Sequence, residues 1–169
     1  MRADLQPHPD FPAPSGITVA VEAERSGNAL LLRYRLSGDA GRLLLPAPAE
    51  PLRTDGLWRH SCFEAFVRPA DSESYVELNF SPSTQWAAYR FDCYRSGMAE
   101  LDAEPRIARA ETGLDVRVEL NLSGHWHVGL CAVLEANDGT LSYWALRHPQ
   151  GRPDFHHRDC FALELASAG

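Results

Sequence analysis

Three stretches of the chain alternate apolar and polar residues with a period of two: Ile17-Thr18-Val19-Ala20-Val21-Glu22, Leu30-Leu31-Leu32-Arg33-Tyr34-Arg35-Leu36 and Leu114-Asp115-Val116-Arg117-Val118-Glu119-Leu120-Asn121-Leu122. A period of two sends successive side chains to opposite faces, so each stretch reads as a strand with one face buried and one wet. Ser26-Gly27-Asn28, Ser37-Gly38-Asp39 and Ser123-Gly124 supply turn residues after them. Asn137-Asp138-Gly139 separates runs at 128–135 and 141–148 and reads as a hairpin loop. Further strand-like runs occupy 43–45, 57–68, 75–80, 86–94, 106–110 and 160–165, and no stretch carries a helical apolar stripe. About ten short strands at regular spacing predict an all-β chain built as a single antiparallel β-sandwich.

A chain of 169 residues suits one domain. Pro7, Pro9, Pro12 and Pro14 mark 1–15 as a Pro-rich tail, which leaves 16–166 for the folded domain. The Pro-rich stretch 45–51 reads as an extended surface connection, since proline cannot feed a central ladder. The net charge of −7, with no cluster of Lys or Arg, argues against a nucleic-acid partner. There is neither an apolar run of about 18 residues nor a signal-peptide pattern, so the expectation is a soluble cytoplasmic protein without membrane contact. Cys62, Cys93, Cys131 and Cys160 form no C-x-x-C pair, and all four lie in apolar runs. They read as reduced, buried thiols rather than metal ligands.

Face assignment locates a candidate site. In the run 57–68, Phe63, Ala65 and Val67 share one parity, and Trp58, Glu64 and Phe66 share the other. In the next run Val76, Leu78 and Phe80 face inward, leaving Glu77 and Asn79 outward. For 86–95 the inward set is Ala87, Tyr89, Phe91 and Cys93, with Trp86, Arg90, Asp92 and Tyr94 outward. Tryptophan beside Glu, Asn and Arg is what a sugar-binding face needs: the ring packs on the C–H face of a pyranose and the polar groups take its hydroxyls. Trp58 and Glu64 are six positions apart, roughly 20 Å along an unbroken strand, so they meet only if the strand starts after Trp58 or the chain bends.

A second cluster runs from Tyr143 to Asp159. Within it Asp154 and His156 are expected to anchor a long loop to the sheet. His148, His156, His157 and Asp159 offer metal donors, but their spacing matches no metal motif, and no metal is expected. The chain has no G-x-S-x-G elbow, Gly-rich phosphate loop or H-E-x-x-H. Glu64 and Glu77 offer a glycosidase-like carboxylate pair, yet any β protein with 23 acidic residues supplies such pairs. The expectation is a protein without catalytic residues.

The segments Leu57-Trp58-Arg59-His60-Ser61-Cys62-Phe63-Glu64-Ala65-Phe66 and Tyr75-Val76-Glu77-Leu78-Asn79-Phe80-Ser81-Pro82, with the closing Arg152-Pro153-Asp154-Phe155-His156, resemble the DOMON-like domains related to carbohydrate-binding module family 9. The resemblance covers residues 16 to 166. It implies a jelly-roll or immunoglobulin-like sandwich that binds a small saccharide or polyol without acting on it. Trp58 matches a stacking tryptophan and Glu64 an acid of that pattern, with Asn79 and Arg90 as further hydroxyl partners. Trp126 and Trp144 are the candidates for a second stacking ring. Other DOMON relatives bind haem through Met and His, which makes Met98 with a histidine an alternative ligand set. A further alternative is a structural or protein-interaction sandwich whose outward aromatics are covered by a partner.

Overall fold

Turn residues bracket the alternating runs, and the runs fold as strands between them. In the computed structural model, which describes residues 1–166, twelve strands form: β1 Arg2–Pro7, β2 Thr18–Ser26, β3 Ala29–Ser37, β4 Cys62–Pro69, β5 Tyr75–Phe80, β6 Trp86–Phe91, β7 Ala99–Glu100, β8 Arg106–Ala110, β9 Gly113–Glu119, β10 Trp126–Glu135, β11 Leu141–Ala145 and β12 Leu163–Leu165. Among the described residues helix is confined to three single 3-10 turns, at Ala40–Arg42, Leu57–Arg59 and Arg158–Cys160. None of these is long and apolar enough to cross a membrane.

The strands pair antiparallel in one continuous sheet, ordered β7-β6-β5-β4-β10-β11-β1-β2-β3-β9-β8, with β12 also beside β10. The sheet curls into a half-barrel. Its two halves close on a shared apolar core, in which Val19, Val21, Leu30 and Leu32 join Ala65, Val67, Leu78 and Leu130.

The first residues are not the loose tail their prolines predict. Arg2 to Leu5 pair with β2, and then Gln6 and Pro7 switch to β11. Leu5 is the one buried side chain of β1, too little apolar patterning to mark a strand, and the prolines cluster only where the strand ends. Conversely, 43–45 is not a strand; Leu43 makes an isolated bridge to Ala136.

Strands β4 and β5 are buried on both faces. Phe63, Ala65 and Val67 enter the main core as expected. The opposite face, expected to be open, carries Phe66, Tyr75 and Phe91 against Phe155 and Phe161 of the segment between β11 and β12. In β6 the expected parity is inverted. Leu78 faces Ala88 and Phe80 faces Trp86 across the ladder, so Trp86 and Ala88 join the main core while Ala87, Tyr89 and Phe91 take the other face. With both faces apolar, residue type alone could not choose between them. Of the four cysteines, Cys62, Cys131 and Cys160 are buried, but Cys93 is exposed in the turn after β6.

Candidate functional site

Between the second face of the sheet and the β11–β12 segment lies a cavity of about 480 Å³. Its floor is Glu64 and Phe66 of β4, Glu77 of β5, Tyr89 and Phe91 of β6, and Val133 of β10. Trp58, Arg95, Met98, Tyr143, Pro153, Phe155 and His156 form the rim.

The local chain path brings Trp58 to this cavity. Gly56 adopts φ +73°, a left-handed conformation suited to glycine, and starts the single turn that carries Trp58. The strand begins only at Cys62. Trp58 and Glu64 therefore face one cavity rather than opposite ends of a strand. The Tyr89 hydroxyl donates to Asp55 at 2.5 Å, fixing the Trp58 segment to the floor. The Trp58 indole stays 48% exposed, with the Arg59 guanidinium 5.4 Å from its ring centroid.

At the floor, Glu64 is 3% exposed and its Oε1 has no hydrogen-bond partner. Burial, and secondarily the charge of Glu77, push its pKa well above the usual carboxylate range. Burial raises Glu77 as well, against the opposing pull of Asn79 and Arg95. The Asn79 amide donates to Glu77 Oε1 at 2.9 Å, while its own Oδ1 is unpartnered. Asn79 is fully buried directly opposite Glu64 on the neighbouring strand.

His156 closes the floor from above. Burial, with Arg95 adding to it against Asp154, lowers its pKa to about 4, so the ring is neutral at neutral pH. The Tyr75 hydroxyl accepts the Arg95 backbone N–H at 3.2 Å and lies 2.7 Å from His156 Nδ1. That arrangement has Tyr75 donating to Nδ1 and leaves the Nε2–H toward Glu77 Oε2, 3.5 Å away. With both groups shifted toward their neutral forms, this contact is not an ion pair. Asp154 anchors the same loop: it accepts from the Tyr94 hydroxyl at 2.6 Å, Arg95 at 2.7 Å and the His156 backbone N–H at 3.2 Å. Burial opposes its ionisation, but these donors outweigh it and hold the carboxylate below its ordinary range.

Of the predicted ligand residues, the cavity brings Trp58 and Glu64 together, with Asn79 behind them. Arg90 lies elsewhere: it sits opposite Val76, on the main-core side of the sheet, and reaches solvent beside Asp92 at 3.4 Å. Trp126 is fully buried in the main core, donates to the Leu122 carbonyl at 3.1 Å and is covered by Arg25, 3.7 Å from its ring. Trp144, 2% exposed, donates to Ser142 Oγ at 3.0 Å within the same core. Neither is a second stacking ring. Sequence reasoning missed Tyr89 and Phe91 through the inverted parity, and Arg95 because it comes from the turn after β6. The apolar Phe155 and Phe161 in an otherwise polar loop are the signal that this segment folds back over the sheet. Among the described residues no three His, Cys, Asp or Glu side chains cluster to hold a metal ion.

No known family's sequence profile matches the chain, and no curated protein matches it. Among solved structures it is similar to a "putative carbohydrate-binding protein" from Bacteroides uniformis, with a TM-score of 0.65 over 96% of this chain and 85% of that one. The sequences are 13% identical, so the likeness is one of fold.

Proposed function

We propose that the cavity binds a saccharide and does not transform it. The observation that carries this reading is a half-exposed tryptophan at the mouth of a concave site whose floor holds an unpartnered carboxyl. Trp58 offers a flat apolar face for the C–H side of a pyranose, while Glu64 and Glu77 take hydroxyls below it. The carbohydrate-binding description of the Bacteroides uniformis protein supports the same ligand class. The resemblance of 57–66, 75–82 and 152–156 to DOMON-like domains and carbohydrate-binding module family 9 points the same way, and on that reading the curled sheet would be a jelly-roll sandwich. Both floor carboxyls are shifted away from the ionised form, which suits a general acid but leaves no ionised nucleophile beside it, and this favours binding over hydrolysis. Haem fits poorly: Met98 and His156 both line the cavity, but the two ring nitrogens of His156 are already turned to Tyr75 and Glu77.

The test is a thermal-shift screen of the purified protein against reducing mono- and disaccharides. Ligand at about 100 times Kd adds about 2.7 kcal/mol, and at roughly 2 to 4 °C per kcal/mol the Tm rises by about 5 to 11 °C. A rise for one sugar family, lost in Trp58→Ala, is the expected result. No shift with any sugar would remove the saccharide reading.

A further inference from the structure

We infer that the saccharide this cavity takes is aminated, its ammonium group seated against Glu64 and Glu77. The inference rests on the saccharide reading above and names the chemistry of its ligand.

Charge complementarity is the first ground. Arg95 is the one cationic side chain lining the cavity among the described residues, and its guanidinium is already paired with Asp154 at 2.7 Å. His156 is a neutral ring whose Nδ1 is engaged by Tyr75 and whose Nε2 lies 3.5 Å from Glu77. Glu64 is left facing the cavity with no cation beside it, and Glu77 feels only Arg95, which Asp154 already holds. A buried carboxyl in this position is costly when ionised unless a counter-charge reaches it, and a ligand cation is the missing charge.

The second ground is the unmet acceptors. Glu64 Oε1 is buried and has no partner, and neither has Asn79 Oδ1 across the ladder from it. With the Asn79 amide donating to Glu77, the orientation of that amide is fixed and its oxygen points away from Glu77. The floor therefore leaves Glu64 Oε1 as a buried acceptor with no donor supplied by the protein. A sugar hydroxyl brings one proton to such a floor, whereas an ammonium brings three and a positive charge. The rings of Trp58, Tyr89 and Phe91 around the cavity also suit a cation better than an anion.

Isothermal titration of the whole protein at neutral pH separates the cases, using glucosamine against glucose and N-acetylglucosamine, and galactosamine against galactose. The expected result is an amine form bound about tenfold or more tightly than its neutral partners, as a charge-assisted bond warrants. Glu64→Gln, checked for folding by thermal melt, should remove that preference, the amine form losing at least tenfold more affinity than its neutral partners. Glu77→Gln serves as the second variant should Glu64→Gln not fold. Equal binding of amine and neutral sugars overturns the inference and leaves saccharide binding intact. A preference that survives both substitutions also overturns it, because the ammonium then sits elsewhere. Binding of benzylamine with no sugar bound at all removes the saccharide reading and the aminated sugar with it. No binding by any probe removes both.

Discussion

Trp58 and Trp126 should respond to truncation in opposite ways. The Trp58 ring is 48% exposed, so of the ~200 Å² a tryptophan can bury about 100 Å² is out of water here. At ~25 cal/mol per Å² that is worth about 2.5 kcal/mol, and a compact unfolded chain trims it to about 2 kcal/mol or less. Trp126 is fully buried, and Trp→Ala in a core costs about 3–5 kcal/mol. Its loss also strips the Leu122 carbonyl of its donor, adding about 1 kcal/mol. For a chain of this length Trp58→Ala should lower Tm by at most about 4–8 °C, and Trp126→Ala by about 8–24 °C. Urea unfolding with unchanged m-values checks that both differences are stability differences. The sugar-induced thermal shift should vanish in Trp58→Ala and persist in Trp126→Ala below its melting range. If Trp58→Ala destabilises as much as Trp126→Ala, the ring at the cavity mouth is a structural prop and the site argument collapses.

Two further outcomes follow from the floor and roof of the cavity. Because the folded-state pKa of Glu64 lies well above its unfolded value, the folded protein binds the extra proton, and stability falls as pH rises from the ordinary carboxylate range through the raised one. Glu64→Gln should flatten that fall and leave the variant the more stable protein at neutral pH; urea midpoints measured across pH show it, and an unchanged slope would mean the carboxyl is solvated. In Gly129→Ala the new Cβ would lie 3.0 Å from the Cys160 carbonyl oxygen and 3.6 Å from Phe66 Cβ. The β11–β12 segment must then lift, costing about 1–3 kcal/mol and weakening ligand binding; a fully stable Gly129→Ala would show that the segment has slack.

The all-β, antiparallel character was legible because β2, β3 and β9 each carry one wet and one buried face, which is the condition under which alternation carries information. That condition fails at β4 and β5, where the face opposite the core is apolar too. There the pattern cannot say which face is which, and β6 was read inside out for that reason. The same gap misplaced the tryptophans. Trp58 stands out by its position beside Glu64, but Trp126 and Trp144 look identical to it in composition, and only the ladder register shows that they face the main core. Strand β1 was missed for want of a second buried side chain. Glu77 was visible as an outward residue, while its partnership with His156 depends on a loop that returns 79 positions later in the chain, a contact no local pattern encodes.

The change of partner within β1 has a consequence for the order in which the protein is made. Gln6 and Pro7 pair with Ala145 and Trp144, and His8 meets the Gly151 carbonyl across 143 positions of chain. A ribosome adding about 5–20 residues per second releases these partners well after β1 itself has emerged. The nascent chain can assemble β2 with β3 early, yet the seam at β1 stays unsealed until β11 has been made. Until then the edge of β1 at Gln6 and Pro7 is an open template for another chain, and any slowing of synthesis between β3 and β11 lengthens that exposure.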